Sequence, residues 1–361
     1  MTDNNLEYKY SKRSKKWKLI VLGLIVALVA VIIVCLNIGY APISFSEILT
    51  ILGKQIPIVN GALNSSSISP VTESIIMQIR LPRILAGALV GAGLAAAGVM
   101  YQGVFRNPMA DSYLLGASAG ASFAYTLAAI YVGSLTLTVF ELGIFQIVAF
   151  AGAILTVFLV YFMSRTGNKV PITTLLLSGI VVNIFILALQ TAFELRSGKD
   201  LTGIIAWIAG GGFTTITWNS VLAVTPFVVV GILIAYFFTK DLNMLSMGDD
   251  TAQHLGVNTE RVRQILLLLG SLVTAAAVAI SGVIGFVGLI IPHMTRLIIG
   301  PDHRILLPTS AIVGAIFLVL CDSLARVATG ASELPVGVIT ALVGTPFFIY
   351  LLRKRKTSYS L

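Results

Sequence analysis

Few residues in this chain could do chemistry, and their spacing limits what that chemistry can be. The three histidines, His254, His293 and His303, stand far apart, with no Cys or carboxylate at metal-ligand spacing, so no metal site is expected. No G-x-x-x-x-G-K-[ST], G-x-S-x-G or H-E-x-x-H run occurs, which argues against an ATPase site in this chain and against hydrolytic chemistry. Carboxylates inside a membrane would mark an ion-coupled carrier, and the candidates are Asp111, Glu141 and Asp322. Asp322 precedes Arg326 by four residues, the spacing of an intrahelical ion pair, so local neutralisation is its first reading and a proton relay its second. Cys35 and Cys321 lie in apolar runs and read as small buried hydrophobes.

The elements that must position these residues are membrane helices. The 361 residues are 57% hydrophobic and 11% charged, too few charges to cover a soluble surface. The run "LIVLGLIVALVAVIIVCL" from Leu19 is long enough to cross a hydrocarbon core of about 30 Å. It follows a basic stretch but lacks a clear cleavage site, so it reads as an uncleaved helix. Apolar runs suggest about ten spans, near 18–38, 82–104, 112–133, 140–163, 171–193, 220–239, 262–281, 284–300, 305–328 and 334–352. The expected fold is an all-α polytopic membrane protein. A basic segment 1–17 and a basic tail 353–361 would flank one transmembrane domain, 18–352.

With both termini in the cytoplasm, 18 of the 24 Lys and Arg residues fall inside, which favours this orientation over its inverse. The net charge of +9 collects at "KRSKKWK" and "RKRK", beside apolar runs, as expected for contact with anionic lipid rather than nucleic acid. An outer loop, 39–79, should hold a short surface helix and a tip. An inner loop, 240–263, should hold two short helices lying at the cytoplasmic surface, with Asp249 and Asp250 opening one, Gly256 closing it, and Asn258 opening the next. A soluble partner could grip that loop, or it could be an ordinary amphipathic connector. The segment "RSGKDLTGIIAWIAGGGFTTITW" is too short to span and reads as an outer-surface helix ending at its glycines.

Glycine carries further information. Gly87, Gly91 and Ala95 form a small face suited to close helix packing. In "ISGVIGFVGLIIPHMTRLIIG", Gly282, Gly285, Gly288 and Pro292 interrupt an apolar run, and such segments either line a pathway or mark a kinked helix.

Three longer blocks complete the reading. "RLPRILAGALVGAGLAAAGVMYQGVFRNPMADSYLLGASAGAS" resembles the second and third spans of FecCD-type permeases, the membrane subunits of ABC importers for ferric siderophores, haem and cobalamin. "SGVIGFVGLIIPHMTRLIIGPDHRILLP", "DSLARVATGASELPVGVITALVGTPFFIYLLR" and "LGVNTERVR" extend the resemblance over nearly the whole chain. The resemblance implies a second permease chain (identical or paralogous), a cytoplasmic ATPase dimer that uses ATP, and an extracytoplasmic substrate-binding protein. It implies no cofactor bound by this chain, and a multi-pass place in the bacterial cell membrane. It assigns Gly248, Asp249, Asp250, Ala252, Leu255 and Gly256 to ATPase coupling, with Arg261 in support, and Asn107 and Met109 to a cytoplasmic gate. Arg80, Arg83 and Arg326 would dock the binding protein's carboxylates, the alternative being that they snorkel to the interface. The expected cargo is a ferric siderophore; haem, cobalamin and an oxyanion are the nearest rivals, and an ion-coupled carrier is the rival from another class.

Overall fold

The structure is a computed structural model that describes residues 3–55, 68–132, 138–139, 142–167, 170–198, 201–329 and 333–358. Glu141, Lys169 and Lys199, and the side chains of residues 1–14 and 350–361, lie outside what is described.

Helices account for nearly all of it, because a chain in lipid must satisfy its own backbone. In chain order they are α1 (Asp3–Asn37), α2 (Phe45–Lys54), α3 (Pro70–Val104), α4 (Ala117–Tyr131), α5 (Ile144–Ser164), α6 (Ile172–Ser197) and α7 (Thr202–Ile208). Then follow α8 (Trp218–Phe237), α9 (Thr239–Leu245), α10 (Asp249–His254), α11 (Thr259–Ser281), α12 (Val287–Ile299), α13 (His303–Val327) and α14 (Val336–Ser358). A two-residue ribbon, Thr138–Val139 with Leu142–Gly143, precedes α5. The protein is an all-α polytopic membrane protein.

Ten of these helices occupy the ten predicted runs in order, but not all are full spans. Among the described residues, seven are long and apolar enough to cross a membrane. The helix α12 has 13 residues and reaches about 20 Å, short of a hydrocarbon core of about 30 Å. Its predicted start at 284 is corrected to Val287, because residues 282–286 are not helical. The predicted span 112–133 begins instead at Ala117, after an irregular loop that ends at Gly116 with φ of 82°. The predicted start at 82 is too late. The helix α3 runs unbroken from Pro70 through a π segment, Ile75–Arg80, in which Leu81 N–H reaches back five residues to the Ile76 carbonyl. Both basic runs continue the first and last helices, α1 from Asp3 and α14 to Ser358.

The helices α3 and α11 form the centre, each 78% buried over its most apolar stretch, whereas α1 is 11% buried and lies at the periphery. The small face of α3 explains its position. A methyl at Gly91 would overlap the Gly314 carbonyl of α13, and one at Gly98 would overlap the Gly288 carbonyl of α12. Only a glycine permits those backbones to touch. The surface helix α2 is stapled by a capping box in which Ser44 Oγ accepts from Glu47 N (3.3 Å) and Glu47 Oε2 accepts from Ser44 N (2.8 Å).

Candidate functional site

Two faces of the bundle carry polar networks. The far face gathers the C-terminal ends of α1 and α13, the start of α3 and the approach to α14. Arg80 donates to the carbonyls of Leu36 (2.7 Å) and Ala41 (2.6 Å), which closes the C-terminal end of α1. Arg83 donates through Nε to Asp322 Oδ1 (3.0 Å), through Nη2 to the same oxygen (2.9 Å), and through Nη1 to Glu333 Oε2 (2.7 Å). Arg326 lies 3.3 Å from Asp322 Oδ2 and donates to the Ile38 carbonyl at 3.0 Å.

The three arginines turn into the bundle. They are 5%, 7% and 6% exposed and bond inward, so they neither snorkel nor stand open. The physical reason is local. Helix ends leave carbonyls without partners, and a buried Asp322 requires cations. The side chain that remains in reach of solvent is Glu333, 36% exposed. Its role was not legible, since Glu333 lies 250 positions from Arg83 with no helical spacing between them. Asp322 neutralises Arg326, as its spacing suggested, and Arg83 as well.

The middle of the bundle holds the interrupted segment. At Gly282 φ is 74°, and a methyl there would overlap the Trp207 carbonyl; Gly285 faces open space. Phe286 adopts φ of 72°, a rare conformation for an aromatic residue. The polar backbone freed by this break is caught by two side chains that the sequence did not mark. Tyr113 hydroxyl accepts from Ile284 N (2.8 Å) and donates to the Ile284 carbonyl, while Gln102 Nε2 donates to Leu289 O (3.1 Å). Gln102 Oε1 in turn accepts from Arg296 Nη1 at 2.9 Å. Gly288 lies against Asp111 and Ser112, and Pro292 sits inside α12. Beside the break, Ala209, Val283, Val338, Leu342 and Pro346 help to line an open apolar concavity of about 570 Å³. Among the described residues, no ionisable side chain lines it.

The near face carries Asn107 and Met109 in the loop between α3 and α4. Asn107 Oδ1 accepts from Met109 N at 2.9 Å, a local turn that fixes the loop. On the same face, α10 is framed by glycines at positive φ, Gly248 (115°) and Gly256 (87°). Asp249 and Asp250 occupy its first turn, Ala252 is fully buried beneath it, and Leu255 is 57% exposed. Asn258 then caps α11 by accepting from Arg261 N at 3.1 Å. Behind α10 the two arginines of α11 part. The Arg261 side chain is exposed, and the buried arginine under α10 is Arg263, which donates to Asp249 at 2.9 Å.

The helix α9 is sewn to the start of α13. Asn243 Nδ2 donates to Asp302 Oδ1 (2.9 Å), and Asn243 Oδ1 accepts from His303 N (2.9 Å). Burial would raise the Asp302 carboxyl, but hydrogen bonds from Arg304 and Asn243 outweigh it and bring its pKa down to about 2. The Arg304 guanidinium also covers the Trp17 ring at 5.3 Å, tying α1 to this face. Among the described residues, no three His, Cys, Asp or Glu side chains come together as metal ligands.

A bundle with a half-length helix beside an uncharged concavity, and a small framed helix on one face, has the build of a transport subunit. The FecCD transport family model matches residues 15–354. The chain belongs to the FecCD transport family. It is a multi-pass permease subunit of an ATP-binding-cassette importer. It is 40% identical to the cobalamin import system permease protein BtuC of Halobacterium salinarum, over 92% of this chain and 95% of that one. It is 39% identical to the Fe(3+)-citrate import system permease protein YfmD of Bacillus subtilis, over 78% and 82%. The molybdate import system permease protein MolB of Haemophilus influenzae is 35% identical over 93% and 96%. Among solved structures, one described as a metal-chelate type ABC transporter in an inward-facing conformation aligns with a TM-score of 0.76 and 33% identity, over 93% of this chain and 99% of that one.

Proposed function

We propose that this permease moves a ferric siderophore complex inward, receiving it from an external binding protein and drawing on ATP hydrolysed by a separate ATPase dimer. The observation that carries the reading is the apolar concavity beside the 282–286 break, which no ionisable group among the described residues lines. A bulky chelate needs a passive wall that holds it weakly enough to release it. Selectivity then rests chiefly with the binding protein. A second permease chain would complete the path, since one chain closes only one side of it.

In this reading the near face is cytoplasmic, and α10 enters the ATPase. Closure of the ATPase dimer on ATP moves α10, the permease halves rock, and Asn107 and Met109 gate the inner mouth. Arg83 meets a binding-protein carboxylate on the far face after Glu333 yields its place; Arg80 and Arg326 supply field rather than contact. An ion-coupled carrier is disfavoured by Asp322, which two arginines hold as part of a buried network.

Uptake by iron-starved cells with and without the chain, with ferric siderophores, haem, cobalamin and molybdate supplied one at a time, tests the cargo. Loss of ferric siderophore uptake alone is expected. Loss confined to cobalamin, haem or molybdate overturns the cargo and keeps the importer. Uptake that survives ATP depletion but collapses with the proton gradient would sink the importer reading.

A further inference from the structure

At the end of α3 the backbone asks for glycine and the sequence supplies arginine. The helix stops in a Schellman turn, with Arg106 N–H bonded to the Gly103 carbonyl (3.3 Å) and Asn107 N–H to the Gln102 carbonyl (3.2 Å). That turn needs one left-handed residue, and here it is Arg106 at φ of 49°. A side chain at such a position is strained, and it persists where its surroundings hold it.

The backbone bonds close the turn, and the half-exposed Arg106 side chain reaches Asp249. The Arg106 Nη2 lies 3.3 Å from Asp249 Oδ1, the first residue of α10. The same carboxylate accepts from Arg263 Nη2 at 2.9 and 3.0 Å. Arg263 is fixed in turn, 8% exposed on α11 and 3.8 Å from Glu260, whose other oxygen accepts from Val170 N at 3.0 Å. One carboxylate therefore joins the surface helix to α11 on one side and to the Asn107–Met109 loop on the other.

We propose that Asp249 is a positioning residue whose pairing with Arg106 carries displacement of α10 into the Asn107–Met109 loop. The proposal rests on the reading that α10 is the ATPase contact. Arg263 ties Asp249 to the start of α11, so α10 and that end of α11 move together and their movement reaches the loop as a pull on the Arg106 guanidinium. The left-handed turn is the yielding element, since release of the ion pair lets Arg106 leave a conformation that it does not favour.

The test uses the complete transporter, permease with its ATPase in proteoliposomes, and reads the loop without needing the cargo. Met109→Cys is labelled by a water-soluble maleimide, with and without ATP and vanadate. Arg106→Gly suits the turn and removes the charge, and Arg106→Lys keeps the charge. We expect the nucleotide to change the Met109→Cys labelling rate at least fivefold. Arg106→Gly should reduce that change to under twofold with no loss of thermal stability, and Arg106→Lys should retain most of it. A full nucleotide response in Arg106→Gly, or none when Arg106 is intact, overturns the proposal. Failure of Leu255→Cys to cross-link to the ATPase would instead overturn the reading of α10 beneath it.

Discussion

Arg83 and Asp322 stand 239 positions apart in the chain and meet as a buried pair, with two guanidinium nitrogens within 3.0 Å of one carboxylate oxygen. The pair pins the start of α3 to the end of α13, and Arg326 shares the carboxylate. Asp322→Asn leaves two arginines facing each other in a dry site, and removal of one partner of a buried pair typically costs about 3–5 kcal/mol. The expected result is a clear drop in melting temperature of the detergent-solubilised protein. The triple variant Arg83→Met, Asp322→Leu and Arg326→Met should recover much of it, because it leaves no buried charge stranded.

Glu333 behaves differently. It is the exposed member of the network, so Glu333→Gln should cost less than about 1 kcal/mol in stability. It should also tighten capture of the external binding protein, since Arg83 Nη1 then lacks an ionised competitor. Salt titration of that affinity checks the origin of the gain, which must shrink as ionic strength rises. Affinity that is unchanged at every salt concentration would remove Arg83 from the docking surface.

Two glycines of the same region should respond in opposite ways. A methyl at Gly98 meets the Gly288 carbonyl, so Gly98→Ala must push α12 from α3, and overpacking of this kind typically costs about 1–3 kcal/mol. A methyl at Gly285 meets nothing within 4 Å, and Gly285→Ala should be neutral in stability. Thermal melts of both variants, run beside transport, separate packing from path. If Gly285→Ala abolishes transport while it melts normally, the open space beside it is used by cargo.

Asp302 gives the near face its acid sensitivity. Its carboxyl is held down to about 2 in the fold against an ordinary 3.8, so its ionised form stabilises the fold above about pH 4. That contribution fades as the pH falls from about 4 through 2, where the folded carboxyl takes up its proton. The melting-temperature gap between the protein and Asp302→Asn should therefore be constant at neutral pH and close across that acid window. A gap that persists below pH 2 would mean that charge is not the source.

Much of the architecture was legible in local patterns. Apolar runs placed ten helices in order, Asn258 and the paired aspartates 249 and 250 marked two helix starts, and Gly91 marked a real backbone contact. What failed were features made by distant residues. Nothing near Arg83 announces Glu333, and the burial of the arginines was not legible because charge bias speaks of sides, not of burial. The irregular stretch 112–116 hid inside the apolar run 112–133, and the side chains that catch the backbone around the 282–286 break, Tyr113 and Gln102, look unremarkable in sequence. Arg263 rather than Arg261 underlies α10 for a similar reason, since two positions on a helix turn a side chain from solvent to core.

The π segment at Ile75–Arg80 has a bearing on how this chain tolerates change. One additional residue in a helix of 3.6 residues per turn rotates everything beyond it by about 100°. Pro70–Ser74 and the glycine face of Leu81–Val104 are thus set out of phase, and the single surplus residue sets the offset. Deletion of exposed Ile79 would restore an ordinary α-helix while swinging Pro70–Ser74 around the axis. Insertions and deletions here act as a dial on azimuth, whereas the same change two turns later would break the register that sets Gly91 against Gly314 of α13.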